Sequence, residues 1–231
     1  MLVYPESSEN GLQNMATDWW LFENASTASF RHYTWSKTET SFGYGQDWKW
    51  VEETTCLSID QLIRRPTGGG IVRHGNDWTY CLILPYKHHS FRISPIELYK
   101  EVHQCIGCAF AEANFKTTLQ PCTSKKGRII PGDCFQEPVG WDLMNAAATK
   151  KIAGAAIKRS RKGLLLQGTI EIGEKLNFDE KEFENNFIRF LSDVFQEQND
   201  YVRWPENLEV ERKRIYEQFS NLEWKKNRVR V

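Results

Sequence analysis

The chain has 231 residues, with 30 Lys and Arg balanced by 30 Asp and Glu, and a hydrophobic fraction of 40%. That length and apolar content suffice for a packed core, and zero formal charge excludes a global electrostatic pull toward nucleic acid or an anionic membrane. The first ten residues lack a basic segment leading into an apolar stretch, and no run of about 18 apolar residues follows, so the expectation is a cytoplasmic protein without membrane or nucleic-acid partners.

In chain order, Asn10 to Asn24 reads as a helix, because Leu12, Met15, Ala16, Trp19, Trp20 and Phe22 recur at helical spacing while Asn14 and Asp18 take another side. Phe30 to Trp35 alternates as a strand does, and Gly43-Tyr44-Gly45 breaks the pattern before a short helix near Trp48 and Val51. A short strand ends at Ile63, a glycine-rich turn spans Gly68 to Gly70, and Thr79 to Leu84 is strongly β-prone. Pro95 suits a first helical turn, which predicts a helix over Ile96 to Asn114. Thr117 to Pro138, with Lys125-Lys126-Gly127 and Pro131-Gly132 inside it, reads as a long loop of the kind that is functional or disordered. Strands follow around Trp141 to Met144, Lys151 to Ala156 and Leu164 to Ile170, the last two forming a hairpin whose turn is Lys158 to Lys162. Helices over Asp179 to Phe195 and Leu208 to Phe219 close the chain, and the basic residues after them are expected to be exposed. Without a regular βαβ rhythm, these elements predict an α+β fold: a mixed, largely antiparallel sheet flanked by helices. No linker divides the sequence, so a single domain over 1–231 is expected, with no separate C-terminal accessory domain.

Two strings carry chemistry. In Arg64-Arg65-Pro66-Thr67-Gly68-Gly69-Gly70-Ile71-Val72-Arg73-His74, three glycines in a row let backbone come close to something, and their amides can form an anion-binding concavity beside two forked arginine donors. The spacing fits neither a Rossmann fingerprint nor a P-loop, and a lone triple glycine is equally compatible with a solvated hairpin. In Lys151-Ile152-Ala153-Gly154-Ala155-Ala156, a lysine precedes small residues on a strand. Gly and Ala there can leave a slot for a thin aliphatic ligand, with the ammonium placed to hold a carbonyl oxygen or phosphate at its mouth, although a bare Lys-x-x-Gly reads more readily as a surface lysine beside a tightly packed strand pair.

Both strings resemble signatures of the lipoate-protein ligase and octanoyltransferase family, within the biotin/lipoate ligase superfamily. The first is similar to Arg-Arg-x-Ser/Thr-Gly-Gly-Gly-x-Val-x-His, and the second, followed by Gln167-Gly168-Thr169, matches the family's lysine strand but lacks a histidine after the glutamine. Asn14-Met15-Ala16-Thr17-Asp18 and Trp35 through Ser41-Phe42-Gly43 with Gln46 extend the likeness. The resemblance implies a biotin/lipoate ligase catalytic fold. It also implies acyl or adenylate binding by Arg65, Thr67, Gly68, Gly69, Gly70, His74, Gly154, Ala155, Gln167, Gly168 and Thr169, with Lys151 as a catalytic group. The activity expected is attachment of an eight-carbon acyl group, octanoyl or lipoyl, to one lysine of a lipoyl-domain protein.

Two routes share such a scaffold. Cys134-Phe135-Gln136-Glu137-Pro138, with Trp141-Asp142-Leu143 following, resembles the loop of the nucleophilic cysteine in one octanoyltransferase branch, which implies a Cys134 thioester and an acyl carrier protein as donor; on its own Cys134 is equally an ordinary loop cysteine, one of six. The alternative is an ATP-dependent lipoate-protein ligase acting through a lipoyl-adenylate with Mg²⁺; the triple glycine is more ligase-like, while the short C-terminal portion favours the thioester route. Neither route calls for a tightly bound cofactor or a resident metal, lipoate or octanoate being a substrate group. A biotin ligase and a non-catalytic acyl-binding relative rank below both. Cys105-x-x-Cys108 reads as buried helix cysteines, and His88-His89 as a solvated loop.

Overall fold

The computed structural model describes residues 1–122, 132–171 and 179–229; Lys125-Lys126-Gly127 and Pro131 of the expected loop lie outside the described residues. The elements run β1 (Leu2–Glu9), α1 (Gly11–Asn24), β2 (Ser29–Trp35), β3 (Glu39–Phe42), α2 (Trp48–Thr55), β4 (Leu62–Arg64), β5 (Val72–His74), β6 (Asp77–Pro85), α3 (Pro95–Glu112), β7 (Thr117–Leu119), β8 (Leu143–Asn145), β9 (Lys151–Arg159), β10 (Gly163–Glu171), α4 (Glu180–Phe195), β11 (Asp200–Tyr201), α5 (Leu208–Ser220) and α6 (Leu222–Asn227). An eight-stranded sheet has the order β11-β1-β2-β6-β10-β9-β8-β7, and a small second sheet the order β4-β3-β5. From β2 across to β7 every pairing is antiparallel, while β1 pairs parallel with both β2 and β11. The mixed, mostly antiparallel α+β architecture is as the sequence predicts.

Side chains alternate across the pleat and give the large sheet two apolar faces. Trp78, Tyr80, Leu82 and Leu84 of β6 join α3 and α4 in one cluster, with Leu164, Leu166 and Ile170 of β10. Cys81 and Ile83 of β6 and Leu165 of β10 point the other way, toward α1, α5 and α6. Local sequence starts the helices where expected: Asn10 caps α1 and Gln13 reciprocates, and Ser94 caps α3 just before Pro95.

Several local expectations are corrected. The strand expected from Trp141 begins only at Leu143, because Trp141 takes φ 70° and the Asp142 carboxylate folds back to accept from Val139 N. The hairpin turn is shorter than Lys158 to Lys162, since β9 continues through Arg159. Thr117–Leu119 of the expected loop pairs as β7 on the sheet edge. Cys105 is buried but Cys108 faces solvent. His88 is held by the Glu197 carboxylate at 3.1 Å, its side chain almost fully covered. Lys225 of the basic tail is buried and donates to the carbonyls of Ile59 and Asp60, so that end of the chain is anchored.

Candidate active site

The apolar pattern of the sheet breaks at one place. On the α1 face, β6 passes from Ile83 and Cys81 to Thr79 and Asp77, and β10 passes from Leu165 to Gln167 and Thr169. Beside them β9 presents only Gly154 and Ala156 on that face, Ala155 packing against the opposite cluster, so the layer is too thin to fill the space under α1. The result is a slim pocket whose other walls are Met15, Tyr33, Trp35, Val72 and Gly69.

Polar groups bordering this pocket are satisfied among themselves. Thr67 donates to Gln167 Oε1 at 2.7 Å, and Gln167 Nε2 donates to Asp18 at 2.6 Å. Asp18 also accepts from Arg31 Nε at 2.7 Å and from the Tyr33 hydroxyl at 3.0 Å, so its charge is balanced by a wholly buried guanidinium. On the adjoining side, Asp77 Oδ2 accepts from His74 Nδ1 at 2.6 Å, Thr79 at 2.9 Å and Thr169 at 2.5 Å, while Oδ1 accepts from Gly75 N. Burial alone would raise the Asp77 pKa, but His74, Thr169 and the Gly75 amide outweigh it and hold the carboxyl down at about 2. Burial lowers the His74 pKa despite Asp77. A neutral imidazole with its proton on Nδ1 satisfies every partner: Nε2 accepts from the Ser41 hydroxyl at 2.7 Å, and Ser41 in turn accepts from Arg65. Trp35 stacks on the ring, with centroids 3.7 Å apart.

The glycine-rich strap has a different job from the one its composition suggests. Arg65 spends its donors on Ser41 Oγ and on the carbonyls of Gly68 and Gly70, and Arg64 on carbonyls of Tyr44, Gln46 and Lys225. Neither arginine therefore offers a free fork to a carboxylate or phosphate; they bind the strap to itself and to the body. The close backbone approach is made by Gly43, where any Cβ would run into the Gly69 carbonyl, and Gly69 itself takes φ 85°.

At the pocket's edge lies the charged pair. Lys151 Nζ is 2.8 Å from Asp142 Oδ2, 2.8 Å from the Cys134 carbonyl and 3.4 Å from Cys134 Sγ. Both Lys151 and Asp142 are buried. The Tyr99 hydroxyl of α3 donates to Asp142 Oδ1 and accepts from Ala155 N at 3.1 Å, which ties the loop carboxylate to β9. Burial, then the Asp142 charge, pushes the Tyr99 pKa well up and keeps it a donor. Gly154 is required because a Cβ there would collide with the Lys151 stem. An ammonium has three protons: two are directed at Asp142 and the Cys134 carbonyl, and the third faces the sulfur.

Of the residues singled out from sequence, Cys134, Arg65, Gly69, His74, Gly154, Ala155, Gln167, Gly168 and Thr169 border the pocket, and Lys151 reaches it through Cys134. Thr67 stands one hydrogen bond behind Gln167, and Gly68 and Gly70 meet Arg65 through their carbonyls instead of lining the pocket. Sequence reading gave no role to Asp142, though it stood in a family-like string, and did not single out Tyr99; the importance of both depends on which strands they bridge, and the lining residues Met15, Tyr33, Trp35, Val72 and Thr79 were likewise given no site role. Met15, Trp35 and Val72 stood in strings that resemble the family, while Tyr33 and Thr79 were read only as strand residues. Beyond Cys134 an open cleft continues past Arg73, Asp133, Phe135, Lys150 and Glu171. Among the described residues no three His, Cys, Asp or Glu side chains gather as metal ligands, and no helix is long and apolar enough to cross a membrane.

Comparison with known proteins agrees with this geometry. The family model described as the lipoyl protein ligase A/B catalytic domain matches residues 10–211. An octanoyltransferase LipM of Oceanobacillus iheyensis is 28% identical over 219 residues, covering 90% of this chain and 71% of the relative. A structure of lipoate-protein ligase A bound with ATP superposes with a TM-score of 0.74 at 16% identity, over 99% of this chain and 98% of that one. A lipoate protein ligase from T. acidophilum with bound lipoic acid gives 0.73 at 17% identity, over 97% and 98%. At those identities the structural likeness establishes the fold, and the sequence match establishes the lineage. The chain belongs to the lipoyl protein ligase A/B catalytic domain family.

Proposed function

We propose that this chain is an acyltransferase that moves an octanoyl group from a carrier-protein thioester onto one lysine of a lipoyl-domain protein, through a thioester on Cys134. The observation that carries the reading is the placement of Cys134 Sγ at the mouth of a narrow apolar pocket, with the Lys151 ammonium 3.4 Å away. The octanoyltransferase relatives support the same reading.

In the first step the Cys134 thiolate attacks the donor's carbonyl carbon, and the oxygen that becomes negative takes the third proton of Lys151 as a hydrogen bond. The carbon–sulfur bond to the donor breaks and its thiolate leaves. In the second step the acceptor's neutral lysine amine attacks the acyl-cysteine, an amide forms with loss of one proton to solvent, and the Cys134 thiolate is released. Asp142, held by Tyr99 and Val139 N, keeps Lys151 aimed, and the cleft past Arg73 and Lys150 gives both proteins access to the sulfur. A nucleophilic thiol of this kind suits the reducing cytoplasm. The 1–231 unit acts as one catalytic domain, since α5 and α6 pack onto α1 and the strap instead of forming a body of their own.

Chain length does not distinguish this route from ATP-dependent ligation, because the ATP-bound ligase chain is covered over 98% of its own length. Biotin is disfavoured by the inner end of the pocket, where Gln167, Thr67 and Asp18 are already mutually bonded and leave nothing for a polar ring. The deciding experiment mixes the protein with octanoyl-carrier protein and a lipoyl domain, without ATP, and weighs the acceptor. One added octanoyl group is expected, and Cys134→Ser is expected to abolish it. Transfer that needs lipoate, ATP and Mg²⁺ and survives Cys134→Ser would establish the adenylate route instead. No modification with either donor would leave an acyl-binding relative.

A further inference from the structure

The two ends of the pocket are chemically unlike, and within the octanoyl-transfer reading this shows how the substrate is measured. Cys134 stands at one end, where the Lys151 stem crosses Gly154. Two residues further along β9, roughly 6.6 Å away along the strand, Ala156 pairs with Gln167 and lies against Gly69 of the strap. Thr67 closes that end from above through its bond to Gln167. Met15, fully buried on α1, closes it from the helix side, its sulfur 3.2 Å from Gln167 Nε2.

We propose that Met15 is the stop against which the end of the acyl chain rests, and so the residue that sets acyl-chain length. The other groups at that end are fixed by their partners. Gln167 is held by both Asp18 and Thr67, the Tyr33 hydroxyl is committed to Asp18, and Gly168 has the Tyr80 ring directly behind it. Met15 contributes apolar bulk and one weak sulfur acceptor, so its length can change without stranding a buried charge. Its unbranched side chain also adapts to ends of different width, which admits a methyl terminus or the broader dithiolane of lipoate. A side chain in this position discriminates by the methylenes it admits, each worth on the order of tenfold or more in a closed apolar site.

The test uses the full chain with hexanoyl, octanoyl, decanoyl and dodecanoyl thioesters, following acylation of Cys134 by intact mass and by kcat/KM. Met15→Ala is expected to raise the decanoyl-to-octanoyl ratio on the order of tenfold. Met15→Phe is expected to raise the hexanoyl-to-octanoyl ratio, and the volume-conserving Met15→Leu to keep the wild-type order. Circular dichroism checks folding, and Met15→Val carries the Met15→Ala expectation in weaker form should the latter not fold. An unchanged order of chain lengths in the folded variants overturns the assignment of Met15. A wild-type protein that forms no acyl-Cys134 with any thioester overturns the thioester reading beneath it, a separate and recognisable failure.

Discussion

At the scale of single residues, the site depends on one ammonium with every proton committed. Lys151→Met removes the third proton from the developing oxyanion and also leaves Asp142 as an uncompensated buried carboxylate. Transfer should fall on the order of 10²–10³-fold, and the same variant should lose about 3–5 kcal/mol in urea denaturation. Gly154→Ala separates these effects. The new methyl group pushes the Lys151 stem aside without removing a charge, so kcat should drop by on the order of 10²-fold while stability changes by only about 1–3 kcal/mol. Single-turnover acylation of the two purified variants, set beside their melts, checks both. The family resemblance made Lys151 and Cys134 stand out in the sequence, because a bare Lys-x-x-Gly and one loop cysteine among six would otherwise read as ordinary. The roles of Asp142 and Tyr99 could not be read there for a physical reason. A carboxylate and a phenol acquire their role only when a loop, a helix and a strand bring them to the same ammonium.

At the scale of elements, burial of histidine on β2 and α3 governs the response to acid. His32 is stacked on Trp78 and neither of its ring nitrogens has a hydrogen-bond partner among the described residues, while His103 sits inside α3 with Nδ1 on the Tyr99 carbonyl at 3.0 Å and Nε2 without a partner. Burial lowers each from the ordinary 6.5 to about 3, helped by Lys181 for His32 and by Lys151 for His103. Below pH 6.5 the unfolded chain takes up protons that the folded one refuses, so folded stability falls as pH drops from 6.5 toward 3. The slope is up to about 1.4 kcal/mol per pH unit for each ring. Asp77, held near 2, acts only at lower pH: its contribution is present above the unfolded value of 3.8 and is lost as pH falls through about 2. Urea midpoints between pH 6.5 and 4.5 should therefore decline, and His103→Phe should reduce the decline. Element reading from sequence worked where periodicity was long, as in α1, α3, α4 and β6. It failed for β3, β5 and β11, which are two to four residues long and have no room for a period, and for β1, which carries Pro5 and a polar second half.

For the whole molecule, the described part is a large sheet with helices on both faces and a small second sheet, and the hollow of the candidate site lies on the α1 face. The family signature made the hollow predictable, but not its closure, because the strap is fastened by residues far away in the chain. Trp224 Nε1 donates to the Arg64 carbonyl at 3.1 Å, and the Arg64 guanidinium donates to the Lys225 carbonyl at 2.6 Å. Trp224→Ala should cost about 3–5 kcal/mol, as expected for a buried aromatic, and should also raise KM for octanoyl thioester through a loosened strap. Thermal melts and initial rates on one preparation show whether the two losses accompany each other.

That fastening puts an order on the birth of the molecule. The Lys225 and Lys226 carbonyls that receive the Arg64 guanidinium are made some 160 residues after the strap they help to fasten. A nascent chain that stops short of α6 holds the strap without this tie, so its glycines should open to solvent more readily than in the chain that carries the helix.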